Sequence, residues 1–147
     1  MSRAIFLAHI AVTCGVAGAM WFIQIVHYPL MRYVGRSTFA DYERVHTRLT
    51  VSLVVSLMAV EWLTGFGLLW WRVAGVPLVY VWLGLGSLSI VWLSTLFLQV
   101  PQHHALAAGF DELALQRLVK TNWIRTACYT GRLLLMLSMV NKAISGR

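Results

Sequence analysis

Four apolar runs, at about residues 5–26, 49–71, 78–100 and 119–140, alternate with polar connections of unequal length. Each is long enough for an α-helix to cross bilayer hydrocarbon, which takes roughly 20 residues. The pattern predicts an all-α integral membrane protein, an antiparallel four-helix bundle forming one domain over 1–147. Gly75-Val76-Pro77 makes a tight return between the second and third runs, whereas the connectors 28–48 and 101–118 are long and polar. Antiparallel order puts both long connectors on one side, here side B. Side A keeps the short return and the termini.

The connectors carry their own helical signals. Phe39, Tyr42, Val45 and His46 recur at helical spacing, with Leu49 following, so the second half of 28–48 should lead helically into the second span. Ser37 or Thr38 would cap that helix, with Asp41 in its first turn. Pro101 is expected to end the regular hydrogen bonding of the third span, and an amphipathic stretch follows. Gly15 and Gly18, with Ala17 and Ala19, offer a face for close helix approach. Cys14 and Cys128 fall inside spans without metal spacing and read as free, buried thiols.

Composition strengthens the membrane reading. Hydrophobic residues make up 59% and charged ones 12%, against about 45–50% and about 25% in soluble domains. Mean hydropathy is +0.72. Seven Trp and five Tyr fit interfacial aromatic belts. The net charge of +7 is spread along span ends, which points to lipid headgroups and not to nucleic acid. Arg3 and Ala17-Gly18-Ala19 imitate a cleavable leader, yet the apolar run continues to Val26 and is read as a span. Arg32, Arg36, Arg44, Arg48, Arg117, Lys120 and Arg125 on side B outnumber Arg3, Arg72, Lys142 and Arg147 on side A, which places side B in the cytoplasm.

The candidate chemistry gathers on side B. Two runs end alike, in Gln24-Ile25-Val26-His27-Tyr28-Pro29 and in Gln99-Val100-Pro101-Gln102-His103-His104. His27, His46 and His103 come from three segments that meet there. Three imidazoles suit Cu, Fe or Zn, with a further position for water, substrate or a carboxylate; haem held by two of them is an alternative. Gln24 and Gln99, one turn before a histidine, are candidates for orienting a ring or holding a bound oxygen species. Tyr42 and Trp123 are candidates for a flat cofactor-binding pocket. Asn122 and Arg125 share a face of the fourth span, and Arg48 faces them from the second. Such guanidiniums can hold a carboxylate, a phosphate or a polarised carbonyl. Glu61 and Arg132 lie at similar depth, about 12–15 residues from side B, so a pair is predicted. Glu61 either fixes packing through that pair or forms the floor of the site as a metal ligand or proton shuttle. The plainer reading makes the histidines interfacial hydrogen-bonding groups and the arginines snorkelling anchors.

Four segments resemble a widespread bacterial family of small four-span membrane proteins of unknown function. They are Trp21-Phe22-Ile23-Gln24-Ile25-Val26-His27-Tyr28-Pro29, Tyr42-Glu43-Arg44-Val45-His46-Thr47-Arg48, Leu98-Gln99-Val100-Pro101-Gln102-His103 and Thr121-Asn122-Trp123-Ile124-Arg125-Thr126. That family is loosely similar to anthrone-oxygenase-like membrane proteins. The resemblance implies a bacterial inner-membrane protein, and oxidation of quinone-like or polycyclic aromatic molecules with oxygen; it transfers no catalytic residue. The leading expectation is a membrane-embedded, metal-dependent oxidoreductase or oxygenase. His27, His46 and His103 would hold the metal; Glu61, Arg48, Asn122 and Arg125 would act on a lipophilic substrate. A haem- or quinone-binding electron-transfer module and a structural or transport subunit forming a homo-oligomer are the alternatives.

Overall fold

The computed structural model describes residues 1–145, and every regular element among them is helical. Arg147, counted above among the side-A cations, lies outside the described residues. Three continuous helices, Ser2–Tyr33, Phe39–Trp70 and Leu78–Ala107, are long and apolar enough to cross a membrane. A fourth, α7 (Glu112–Ser145), runs for 34 residues.

None of the first three is a uniform α-helix. The first comprises α1 (Ser2–Phe22), a π turn at Ile23–His27, α2 (Tyr28–Leu30) and a 3₁₀ turn at Met31–Tyr33. The second comprises α3 (Phe39–Thr50), a π turn at Val51–Val55 and α4 (Ser56–Trp70). The third comprises α5 (Leu78–Ser94), a π turn at Thr95–Gln99 and α6 (Val100–Ala107).

Two of the π turns explain why proline does not stop the helix. Proline has no N–H, and its ring collides with the carbonyl four residues back. Immediately before Pro29 and Pro101 the ladder widens: Tyr28 N–H reaches the Ile23 carbonyl and Val100 N–H reaches that of Thr95. Each proline then occupies the first turn of a fresh α segment, where it loses no bond. The expected stop at Pro101 is therefore corrected, since the helix continues to Ala107. The connectors shrink accordingly. The breaks fall at 34–38 and 108–111, and Asp111 Oδ1 starts α7 by accepting the N–H groups of Leu113 (2.8 Å) and Ala114 (3.1 Å). Gly75, at φ 79°, supplies the left-handed residue of the tight return. Thr38 is the N-cap residue of α3, but its hydroxyl turns back to the Gly35 carbonyl.

The four long helices contact one another in ring order: α1 on α4 and α7, α5 on α4 and α7. At one end α3 packs on α6. Val16, Met20, Met58, Leu88 and Tyr129 belong to one buried cluster; Phe6, Leu68, Leu85 and Met136 belong to a second. Outward faces stay apolar, with Leu7, Leu63, Phe97 and Leu137 exposed. Gly15 and Gly18 also look outward, with nothing within 4 Å of an added Cβ, and the close approach falls to Ala17 instead. Cys14 is exposed, not buried.

Glu61 lies where the two clusters adjoin. Its carboxylate, fully buried, accepts from Thr13 (2.7 Å), Tyr129 (2.8 Å), and Arg132 through Nη2 (2.7 Å) and Nε (3.2 Å). Arg132 also donates to the Gly84 carbonyl, so one ion pair ties α1, α4, α5 and α7 together. Breaking a buried pair strands a charge and costs about 3–5 kcal/mol, whereas replacing both partners costs much less. Arg132→Met should therefore lower the unfolding temperature of detergent-purified protein sharply, and Glu61→Leu/Arg132→Met should recover most of the loss. A single variant as stable as wild type would show that the pair does not hold the fold.

Candidate metal centre

Each long helix brings polar side chains to the end where α3 meets α6. The first helix supplies Gln24, His27 and Tyr28; the second Glu43, His46 and Thr47; the third Gln99 and His103; α7 supplies Asn122 and Arg125. All but His27, Thr47 and His103 are buried.

A hydrogen-bonded chain crosses the protein there. Asn122 Nδ2 donates to Gln24 Oε1 (2.7 Å), and Gln24 Nε2 donates to the Val119 carbonyl (3.3 Å). Asn122 Oδ1 accepts from Arg125 Nε (2.8 Å) and Nη2 (2.5 Å). Arg125 Nη2 also donates to the Tyr28 hydroxyl (3.1 Å), which meets His103 Nε2 (3.2 Å). The other nitrogen of His103, Nδ1, lies 2.5 Å from Glu43 Oε1, and Thr47 donates to the same oxygen (3.0 Å).

The three predicted histidines do converge. His27 and His46 rings stack with centroids 4.6 Å apart, and His46 lies 5.5 Å from His103. His27 Nε2 and His46 Nδ1 share a hydrogen bond of 3.0 Å, and Thr50 approaches the same His46 nitrogen at 3.2 Å. The set that can surround one ion is different, however. Glu43, His46 and His103 each offer a ligand atom within 4.8 Å of the others. His27 stands behind His46, and Glu43 takes the place expected for it. Two atoms in this group, Glu43 Oε2 and His46 Nε2, are buried without any hydrogen-bond partner. Buried polar atoms are rarely left so, and a carboxylate oxygen and an imidazole nitrogen are what a cation takes up.

A cavity of about 580 Å³ adjoins the centre. His46, His103, Arg48, Gln99 and Arg125 line its polar part; Val51, Val54, Met58, Trp92 and Leu96 line its apolar part. Its size falls within the usual range for small-molecule sites, roughly 300–1,000 Å³. Gln99 is held by Ser94 (3.2 Å) and by its own donation to Thr121 (3.1 Å), so it faces the cavity as a fixed group.

Other expected members lie elsewhere. Glu61 does not line the cavity, and its carboxylate is occupied by Thr13, Tyr129 and Arg132; the floor of the site is not built from it. Trp123 is 49% exposed and packs edge-on against Trp21, away from the site. Tyr42 lies parallel to His46 at 6.1 Å and supports that ring without lining the cavity. Glu43 is the residue that sequence reasoning missed, although Glu43-Arg44-Val45-His46 carries the Glu-x-x-His spacing that puts both ligands on one helical face. Searches against known protein families, characterised proteins and solved structures returned no match.

Tyr28→Phe deletes the hydroxyl between Arg125 and His103 and leaves buried partners unsatisfied. The expected cost is about 1–3 kcal/mol, read as a lowered unfolding temperature; an unchanged value would mean that the chain of bonds is not closed through Tyr28.

Proposed function

We propose that this protein is a four-helix membrane bundle of the bacterial inner membrane carrying a metal-dependent oxidoreductase or oxygenase site, with a lipophilic quinone-like or aromatic substrate in the adjoining cavity. One observation carries the reading: Glu43 Oε2 and His46 Nε2 are buried and unpartnered, beside His103 and next to the cavity. Two imidazoles and one carboxylate form the donor set of non-haem iron oxygenases and equally of catalytic zinc sites, and suit copper less well. Such an ion, when bound, supplies oxygen activation or Lewis-acid polarisation.

The surrounding residues have defined tasks. In the tautomer in which His46 Nδ1–H donates to His27 Nε2, the His46 Nε2 keeps a lone pair for the metal. His103 has both ring nitrogens engaged, to Glu43 and Tyr28, so binding an ion exchanges one of these bonds. Arg125, held by Asn122, presents positive charge to a substrate oxygen, and the apolar lining excludes water. Side B, richer in cations, faces the cytoplasm in this reading.

Elemental analysis of detergent-purified protein tests it. Near-stoichiometric metal is expected in wild type and should be lost in Glu43→Ala and His46→Ala. His27→Ala, acting only through His46, should weaken affinity by about 10–100-fold. Full metal content in all three variants, or none in wild type after metal loading, would end this proposal.

A further inference from the structure

The cavity holds positive charge that the chain does not answer. Arg44, Arg48 and Arg125 line it, and no aspartate or glutamate does. Arg44 is paired with Asp41 at the surface. Arg125 is only 5% exposed, yet its hydrogen bonds go to the neutral groups of Asn122 and Tyr28. Among the described residues no carboxylate stands within ion-pair distance of it, and its hydrogen bonds to Asn122 and Tyr28 use Nε and Nη2, leaving Nη1 for another acceptor. Arg132, equally buried seven positions along α7, meets Glu61 directly. A guanidinium cannot shed its proton, and an isolated charge in an apolar interior is expensive.

A second donor belongs to a residue that lines the same cavity. Trp92 Nε1 is buried without a partner, and an indole N–H can only donate. Gln99 bonds Thr121, and Ser87 reaches the Cys128 carbonyl. Trp92 and Arg125 both fall between these two rungs, on facing helices. Two unanswered donors, one of them cationic, thus border a lining of Val51, Val54, Met58 and Leu96.

We propose that the cavity binds a lipophilic monocarboxylate, its head on Arg125 Nη1 and Trp92 Nε1 and its apolar body among the aliphatic side chains. A flat two-oxygen anion matches the guanidinium fork, and Arg48 adds charge from an exposed position. This narrows the lipophilic substrate of the proposed enzyme from a quinone-like or aromatic molecule to one that carries a carboxylate, and it rests on reading the cavity as the substrate site.

Native mass spectrometry on metal-stripped protein released from detergent tests it, with a long-chain carboxylic acid, its methyl ester and an anionic phospholipid as probes. The acid should be retained at least about thirty-fold more tightly than the ester, the scale of a buried charge contact. Arg125→Gln should remove that preference. Because this variant also disturbs Asn122 and Tyr28, Trp92→Phe, which removes the indole N–H and keeps an aromatic ring at the position, should weaken acid binding several-fold while the fold persists. Equal retention of acid and ester, preference for the phospholipid, or an acid complex unchanged in folded Trp92→Phe and Arg125→Gln would each overturn the proposal. Acid binding without any metal site would count against the metalloenzyme alone, and a metal site without acid binding would count against this inference alone.

Discussion

Inside an apolar assembly a polar side chain has no water to fall back on, so it must be satisfied by another polar group of the protein or remain costly. Both buried networks follow from that constraint. Around Glu61, four hydrogen bonds close on one carboxylate and every participant is accounted for. At the other network the chain from Gln24 through Asn122, Arg125 and Tyr28 to His103 and Glu43 is continuous, but it ends in atoms with nothing to bond. The first network behaves as a fastener. The second has the unfinished character of a site.

The backbone irregularities lie where this difference arises. Gln24 and His27 sit within one π turn, Gln99 within another, and the third begins directly after Thr50, which contacts His46. A π turn inserts one residue into the helical ladder and rotates everything beyond it. That rotation lets Gln24 and Tyr28 both reach α7, and Gln99 reach Thr121 while His103 reaches Glu43. It also absorbs Pro29 and Pro101 without ending the helices, so the candidate ligands sit on helical extensions and not on loose connectors.

The two buried arginines of α7 differ in how their charge is met. Arg132 meets a carboxylate and a backbone carbonyl and is thereby complete. Arg125 meets an amide and a phenol, which orient the guanidinium without neutralising it. Orientation without neutralisation is what a group needs if it is to hold an incoming anion or a polarised oxygen.

Sequence alone determined the long apolar helices and the one-sided gathering of histidines, because hydropathy and antiparallel order need only spacing. It also predicted the Glu61–Arg132 pair, since equal depth in an apolar medium leaves a lone charge few alternatives. Tertiary structure decided the rest. Glu43 sits between Tyr42 and Arg44 in a polar connector, and the packing of α3 on α6 buries it completely. His27 stands behind His46, Trp123 turns outward, and Trp92 Nε1 is left without a partner. Those outcomes depend on the rotation of each helix about its own axis. In the first three helices π turns help to set that rotation, in α7 packing alone does, and spacing along a chain encodes neither.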